Sequence, residues 1–232
     1  AEKAGLDPVE LRLRNIPETH PETGVPYSAR MLAECLKDGA KAFGWDQRKA
    51  PRERKEGDWF LGMGVASAAR MNMLLPSEAR VTLTPTGAIV ETDMTDIGTG
   101  TYAILNQIAA EMLGLPVELV EVRLGDSSYP SAAGSGGSFG AASSGSSVFL
   151  ACKAIREQIA EKMDCEGGDL TLSGGIARCG NREKKLEDLL DADIVETAQI
   201  KPGKTGKEAF SSGFGAHFAE VAVHEWTGEV RV

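Results

Sequence analysis

The sequence has few of the side chains from which metal and redox sites are built. Its 232 residues include three histidines and four cysteines, which are Cys35, Cys152, Cys165 and Cys179. None of the cysteines form a C-x-x-C pair, which excludes zinc-ribbon and iron–sulfur spacings. We expect reduced thiols that pack as small hydrophobic side chains, with a disulfide as the alternative. His20 lies in a turn, and His217 and His224 would point to opposite faces of a strand, so no histidine metal site is predicted.

Long apolar runs and an excess of positive charge are also missing. No window approaches the ~18 uninterrupted apolar residues of a transmembrane helix, and no charged start with an apolar run marks a signal peptide. The 25 Lys plus Arg and 34 Asp plus Glu give a net charge of -9, which argues against nucleic-acid binding. We expect a water-soluble, cytoplasmic chain with no nucleic-acid or membrane partner, and leave periplasmic export of a longer protein open.

Catalytic side chains are scarce as well. No G-x-S-x-G elbow is followed by a plausible Asp and His in chain order, so hydrolase chemistry has no support. Asp93 and Asp96 flank a glycine turn at residues 98–100. A general-base role is one hypothesis for them, but acidic residues beside a turn more often face solvent or cap the turn. We therefore predict no catalytic residue and no metal ligand in this chain.

Both ends of the sequence resemble cuts through a longer polypeptide. Asp7 as N-cap, Pro8 at the first helical position and Glu10 three residues after the cap predict a helix start. Residues 1–5 are typical of the last turn of an earlier helix that a glycine closes. Residues 230–232 begin a return strand that stops. We therefore interpret the chain as a fragment.

The succession of elements predicts an α+β fold with antiparallel or mixed sheets and packed helices. We expect a helical lead segment at residues 1–57, continuing from a missing N-terminal part, in which Ser28 caps the second helix. A C-terminally truncated domain would follow at residues 58–232, with a polar excursion near residues 164–182. Its predicted elements are strands at 60–70, 79–83, 89–94 and 120–124 and helices at 98–114 and 148–163.

Two glycine-rich turns run directly into predicted helices. The first covers residues 98–101 and the second residues 134–140. Such turns present backbone N–H groups to an anion, and the helix dipole adds roughly half a positive charge. Across residues 94–147 the only Lys or Arg is Arg123. A phosphate bound there would have to be held by amides and hydroxyls, so a P-loop with its lysine is excluded.

Each turn has an alternative interpretation. Residues 134–147 could form a flexible linker, because 11 of the 14 are Gly or Ser, although a strand-like segment and an apolar-striped helix flank them. Residues 98–103 fit G-x-G-x-x-A, the dinucleotide fingerprint of Rossmann folds. However, residues 89–94 alternate in polarity, which indicates an antiparallel hairpin rather than a strand buried on both faces. Nicotinamide binding is therefore the less favoured interpretation.

Five short motifs follow one another along the chain. They are Asp96 to Tyr102, Gly114-Leu115-Pro116, Gly125-Asp126, Ser135 to Ala141 and Ala151-Cys152. In order and spacing they resemble the molybdenum hydroxylase family, the molybdopterin-binding large subunits of xanthine dehydrogenases and aldehyde oxidases. The likeness extends to residues 5–15 and 218–232, so it covers nearly the whole chain and implies a fold of the molybdenum-cofactor-binding type.

The resemblance implies cofactor contacts in both glycine turns. In the family, the counterpart of residues 98–100 is commonly Gly-Gln-Gly. Thr99 in the middle looks like the bacterial aldehyde-oxidising subgroup and removes an amide side chain that could contact the cofactor. The counterparts of the second turn line the pterin and its phosphate. The implied cofactor-binding residues are Gly98, Thr99, Gly100, Thr101, Gly136, Gly137, Ser138 and Phe139.

The resemblance also implies a function for the longer protein. That protein would oxidise aldehydes or N-heterocycles, with water as the oxygen source, on a molybdenum-bearing molybdopterin, expected in its cytosine dinucleotide form. Electrons would leave through iron–sulfur clusters and FAD on other subunits or domains. The family's general-base glutamate lies beyond residue 232, so the isolated fragment is expected to be inactive. A nicotinamide-binding domain and a non-enzymatic interaction module are the alternatives.

Overall fold

A computed structural model describes residues 1–232, apart from the side chain of Thr205. The helices are α1 (Pro8–Arg14), α2 (Leu32–Phe43), α3 (Thr101–Leu113), α4 (Gly140–Lys162), α5 (Leu186–Leu189) and α6 (Thr205–Glu208). The strands are β1 (Arg54–Glu56), β2 (Trp59–Met71), β3 (Ser77–Thr84), β4 (Gly87–Thr92), β5 (Val120–Leu124), β6 (Thr171–Ser173), β7 (Ile176–Cys179), β8 (Arg182–Lys185), β9 (Ile194–Ile200), β10 (Ser212–His224) and β11 (Val230–Arg231). This mixture confirms the predicted α+β class.

The chain forms two compact units. The first comprises Ala1–Asn72 and Lys204–Val232, and the second comprises Met73–Gly203. Residues 58–72 thus belong to the same unit as the lead segment, and both glycine turns lie in the second unit. The division at residues 57 and 58 stays a prediction about the domains of a longer protein. In the part of the chain that the structure describes, no helix is long and apolar enough to cross a bilayer.

The first unit is built on a four-stranded antiparallel sheet in the order β1-β2-β10-β11. Leu36 of α2 and Trp45 are buried and pack against residues of both long strands, among them Phe218. The predicted start of α1 is confirmed, because Oδ1 of Asp7 accepts hydrogen bonds from the N–H groups of Val9 at 2.8 Å and Glu10 at 3.2 Å.

The predicted cap at Ser28 is wrong. The second helix begins at Leu32, after Met31, and has no side-chain cap. The backbone N–H of Ser28 instead donates to the carbonyl of Phe210 at 3.0 Å. Ser28 therefore lies directly after the bridge between Tyr27 and Phe210, a long-range contact that local capping rules do not anticipate.

The second unit packs two helices on a mixed sheet in the order β5-β4-β3-β9. The pair β4 and β5 is parallel, and the other pairs are antiparallel. Helices α3 and α4 bury one apolar core against the sheet, in which Leu105 and Ile155 are fully buried. A second sheet, β6-β7-β8, follows α4. The chain therefore brings the N-terminal ends of α3 and α4 to the part of this unit where the glycine turns lie.

One alternative interpretation and one expectation are corrected in this unit. The glycine- and serine-rich stretch is not a linker throughout, because α4 begins at Gly140 and buries Ser143 and Ser144 completely. The polar excursion near residues 164–182 contains β6 and β7. There Cys165 and Cys179 form a disulfide with a Cα–Cα distance of 6.6 Å, whereas Cys35 and Cys152 are free thiols. The expectation of four reduced thiols was therefore wrong for two of them.

Candidate functional site

A cavity of about 370 Å³ lies between the two glycine turns of the second unit. Thr99 and Thr101 of the first turn and residues 136–138 of the second turn contribute polar groups to its wall. Its other lining residues are Met94, Ile97, Ile104, Ser135, Gly140 and Ala141. Apolar side chains that flank the first turn thus form one side of the cavity, together with the hydroxyls of Thr99 and Thr101. Backbone of the second turn forms the other side.

The first turn is closed by the carboxylate of Asp96. Its Oδ1 accepts hydrogen bonds from the N–H groups of Gly98 at 2.8 Å and Thr99 at 2.9 Å, and its Oδ2 accepts one from Tyr102 at 3.4 Å. Desolvation raises the pKa of Asp96, but hydrogen bonds from the amides of Gly98, Tyr102, Thr99 and Gly100 outweigh it and lower the pKa. Amides that the sequence suggested for an anion therefore already bind a carboxylate of the same chain.

The second turn leaves its amides open. Gly137 and Ser138 have φ values of +49° and +56°, and α4 begins two residues later. Phe139 precedes the helix and provides no side-chain cap. Within the described residues, the N–H groups of Gly137, Ser138, Gly140 and Ala141 meet no hydrogen-bond acceptor. Backbone amides at a helix start without acceptors are groups that an anion can satisfy.

Hydrogen bonds join the loop after β4 to the segment that enters the second turn. A carboxylate oxygen of Asp93 accepts a hydrogen bond from the N–H of Ala132, and the hydroxyl of Ser135 donates to the carbonyl of Thr95. The N–H of Asp93 donates to the carbonyl of Pro130 at 2.9 Å. These contacts hold the two turns on opposite sides of the cavity. Asp93 and Asp96 are thus both engaged with backbone amides.

Buried hydroxyls hold the start of α4 against the beginning of β3. The Oγ of Ser143 accepts a hydrogen bond from the N–H of Leu75 at 3.0 Å. The Oγ atoms of Ser77 and Ser144 are 2.9 Å apart, and both side chains are almost fully buried. A buried hydroxyl without a partner would cost free energy, so these pairs fix where the helix begins. The abundant serines of this stretch therefore have a structural role beside the open amides.

The structure brings five of the eight predicted site residues to the cavity. They are Thr99, Thr101, Gly136, Gly137 and Ser138. Gly98 and Gly100 do not line it and instead form the backbone around Asp96, with φ values of +94° and +80°. The ring of Phe139 supports the second turn, because a Cβ built on Gly137 would lie 2.9 Å from its Cδ1.

Sequence reasoning missed the apolar side of the cavity. Met94 is almost fully buried and Ile97 is 66% exposed, and both precede the first turn by a few residues. Ile104 lies one helical turn into α3. A signal was available, since apolar side chains within one turn of a glycine loop are candidates for its floor. Only the folded arrangement shows that they face the second turn.

The residues that line the cavity include no charged side chain and no cluster of metal ligands. None of its lining residues is Lys or Arg. Arg123, which lies between the two turns in the sequence, pairs with Glu121 at 2.9 Å and with Glu91 at 3.6 Å. Among the residues that the structure describes, no group of three His, Cys, Asp or Glu side chains could hold a metal ion. The cavity is therefore suited to a ligand that amides and hydroxyls recognise and that brings any metal with it.

The nicotinamide alternative does not fit the geometry around residues 98–103. The strand before the turn, β4, pairs with β3 in an antiparallel hairpin, as the alternating sequence predicted. Its parallel pairing with β5 makes one βαβ unit, but only at the edge of a mixed sheet. In Rossmann folds the pyrophosphate sits at the N-terminus of the helix after the glycine turn, and here the carboxylate of Asp96 takes that place.

The sequence matches the model of one protein family, described as the molybdopterin cofactor-binding domain, over residues 38–232. It is 48% identical to the aldehyde oxidoreductase molybdenum-binding subunit PaoC of Escherichia coli, over 100% of this chain and 32% of that protein. It is 35% identical to the xanthine dehydrogenase molybdenum-binding subunit of Escherichia coli, over 51% of this chain and 17% of that protein. The chain thus spans about a third of the length of the first relative and a smaller share of the length of the second.

The fold has a close counterpart among solved structures. Reconstituted CO dehydrogenase from Oligotropha carboxidovorans superposes with a TM-score of 0.76 and 20% sequence identity. The superposition covers 100% of this chain and 34% of that one. At this identity the likeness concerns the fold alone, and it agrees with the α+β arrangement of both units.

Proposed function

Because this chain belongs to the molybdopterin cofactor-binding domain family, we propose that its glycine-lined cavity holds part of a molybdenum cofactor within a longer enzyme. The family membership confirms the resemblance to molybdenum hydroxylase large subunits and favours it over the nicotinamide alternative. The observation that carries the proposal is the set of open amides at Gly137, Ser138, Gly140 and Ala141, beside hydroxyls of Thr99 and Thr101 in one cavity.

The residues present fit the anionic part of such a cofactor. Gly136 and Gly137 present bare backbone to the cavity, so a ligand can approach more closely than any side chain would allow. The amides of Ser138, Gly140 and Ala141 can donate to phosphate oxygens, which the N-terminal end of α4 favours electrostatically. The absence of basic side chains from the lining is no obstacle, because several oriented amides can replace a lysine.

The two turns are proposed to have different roles. Residues 136–138 would hold phosphate through the backbone, whereas Thr99 and Thr101 would meet a polar edge of the cofactor through their hydroxyls, which are 3.4 Å apart. Gly98 and Gly100 shape the first turn, and Phe139 supports the second. Met94 and Ile104 would exclude water from one side of the bound group.

For the longer protein we propose oxidation of aldehydes or N-heterocycles. PaoC is described as an aldehyde oxidoreductase and the second relative as a xanthine dehydrogenase, which supports these two substrate classes. When bound, the cofactor supplies two-electron redox chemistry with water as the oxygen source. This chain supplies binding and orientation and no catalytic side chain. Iron–sulfur and FAD subunits are the proposed partners, and the cytosine dinucleotide is the proposed cofactor form.

A glycine substitution that the fold tolerates tests the cavity. A Cβ on Gly136 would lie 3.8 Å from the ring of Phe139, an ordinary contact, and its φ is not positive. Gly136→Ala in the full-length protein should keep the unfolding temperature but lose at least about ten-fold in molybdenum per mole. Gly168→Ala, which has open space around it and lies outside the cavity, is the matched control.

The same preparations identify the cofactor. Acid treatment of the unmodified protein should release a fluorescent pterin and cytidine monophosphate in equal amounts. A folded Gly136→Ala protein with full molybdenum content would contradict the cavity assignment. Release of pterin without any nucleotide would contradict the dinucleotide form and leave the cavity assignment to the metal measurement.

A further inference from the structure

Asp96 is an internal anion in a turn whose sequence is typical of an anion-binding loop. Its carboxylate spans the turn and accepts the amides of Gly98, Thr99 and Tyr102. The second turn has the same loop-to-helix form, but no described carboxylate reaches the amides of residues 137–141. The two turns therefore differ in the one property that decides whether a phosphate can bind.

We propose that Asp96 is a positioning residue of the cofactor site. Asp96 accepts the hydrogen bonds that the amides of the first turn would otherwise donate to a ligand, so phosphate is recognised at the second turn. The first turn then presents only the hydroxyls of Thr99 and Thr101 to the cofactor. This inference rests on the proposed function, since it concerns how the same cavity receives the cofactor.

The argument depends on what the turn would be without the carboxylate. Gly98 and Gly100 both have positive φ, which turns successive N–H groups toward one point. An anion must occupy that point or the amides turn to solvent and the loop loses its shape. Because the N–H of Thr99 is one of the donors, a change at Asp96 moves the Thr99 hydroxyl that lines the cavity.

The negative charge of Asp96 is a second reason for phosphate to bind at the second turn and not at the first. A cofactor phosphate placed against the first turn would lie beside the ionised carboxylate, and like charges at that distance repel each other. The second turn has no acidic side chain among its cavity-lining residues. Asp96 thus sets the orientation of an anionic ligand in the cavity without touching it.

The structure offers a matched control for substitutions at Asp96. Asp126 closes a similar turn, where its Oδ1 accepts hydrogen bonds from the N–H of Ser128 at 2.9 Å and from the Ser128 hydroxyl at 2.7 Å. Asp126 does not line the cavity. Asp126→Ala therefore removes an equivalent loop contact and leaves the cofactor content unchanged.

The experiment measures pterin and molybdenum per mole of the full-length protein. Asp96→Ala should lower both at least about ten-fold, whereas Asp96→Asn, whose Oδ1 can still accept the amides of Gly98 and Thr99, should lose less than about three-fold. Formate added during cofactor loading should restore most of the content of Asp96→Ala, because a small carboxylate can refill the empty turn. It should not change the unmodified protein.

Three results would overturn the proposal. Tighter cofactor binding by Asp96→Ala would show that the first turn is a phosphate site that Asp96 blocks. Equal losses in Asp96→Ala and Asp96→Asn, or in Asp96→Ala and Asp126→Ala, would show that the carboxylate contacts the ligand directly or has only a fold role. Failure of the proposed function is separate, since the unmodified protein would then contain no pterin. In that case, formate must still raise the unfolding temperature of Asp96→Ala selectively, or the positioning role is also wrong.

Discussion

Met94 fills the space that a side chain on Gly140 would need. A Cβ built on Gly140 would lie 2.2 Å from Cε and 3.5 Å from Sδ of Met94. Met94 is 3% exposed and lines the cavity between the glycine turns. Because Gly140 has no side chain, the methyl end of Met94 can pack against the start of α4. Met94 therefore does not extend further into the cavity.

Gly140→Ala should reduce cofactor content without unfolding the protein. The clash falls on the end of a flexible side chain, and its packing cost of about 1–3 kcal/mol is small beside the free energy of unfolding of a whole domain. Met94 would escape by swinging into the cavity. The measurement is molybdenum per mole beside the unfolding temperature. The double variant Gly140→Ala/Met94→Ala should regain cofactor, and a double variant that stays empty would count against displacement of Met94.

Gly114→Ala should destabilise the second unit strongly. Gly114 ends α3 with a φ of +64°, and a Cβ there would lie 2.3 Å from the carbonyl carbon of Leu172. The left-handed conformation costs about 1–2 kcal/mol for an L-residue. The overlap with backbone adds about 1–3 kcal/mol, because a strand cannot move aside as a side chain can. Denaturant unfolding of the full-length protein should show the sum.

Gly125→Ala separates the two contributions. Gly125 has a φ of +78°, but the nearest atom to its built Cβ is Cγ2 of Thr95, at 3.9 Å. This variant should lose only the conformational part, about 1–2 kcal/mol. Equal losses in both variants would mean that the approach of β6 to the end of α3 is looser than the structure indicates.

Local patterns were sufficient for elements whose signals are short-range. The predicted strand at residues 120–124 is β5, and the helix predicted over 98–114 is α3, which ends where Gly114 was expected to end it. For residues 134–147 the predicted and observed helix starts differ, since Gly and Ser are poor or indifferent helix formers and the sequence placed the helix start after this stretch. Burial of Ser143 and Ser144 against β3 overrides that propensity and lets α4 begin at Gly140.

The candidate site was predictable in position but not in chemistry. Both glycine turns follow from composition, and the structure places them around one cavity. Capping of the turn was one of the interpretations for Asp96, but the sequence did not show that its carboxylate takes up the amides expected for an anion, because that depends on positive φ at Gly98 and Gly100. The pairing of Cys165 with Cys179 likewise depends on how the strands after α4 fold back.

The cysteines should react very differently in the native protein. Cys35 is half-buried, whereas Cys152 is fully buried, and its burial raises the pKa of the thiol to about 12. Cys152 therefore stays protonated and inaccessible near neutral pH. Peptide mapping after brief iodoacetamide treatment should find label on Cys35 alone among these four residues. Label on Cys165 or Cys179 without a reductant would show that the disulfide does not form.

Removing the disulfide should lower the free energy of unfolding by an amount that rises with the logarithm of the length of the loop that it closes. Cys165 and Cys179 are separated by 14 residues. The chain-entropy model gives about 3 kcal/mol for a loop of this length. The double variant Cys165→Ala/Cys179→Ala should show this loss in denaturant unfolding under oxidising conditions, and the same unmodified protein with a reductant should match it. Cys35→Ser is the control, since it removes a free thiol from the other unit.

The stability of the protein should fall in acid partly because of Asp96. Its pKa is lowered in the folded state, since amide hydrogen bonds outweigh desolvation. A group of this kind stabilises the fold at pH values above its unfolded pKa of about 3.9, and the contribution disappears as the pH falls through the folded pKa. Asp96→Asn should therefore be less stable than the unmodified protein at pH 6, and the difference should shrink below about pH 4. Denaturant midpoints from pH 6 to pH 2.5 measure this difference.

The control is Asp191→Asn, which removes the same charge from a side chain that is 94% exposed and should show a much smaller pH-dependent difference. A constant gap between Asp96→Asn and the unmodified protein across this range would mean that the carboxylate charge does not hold the turn.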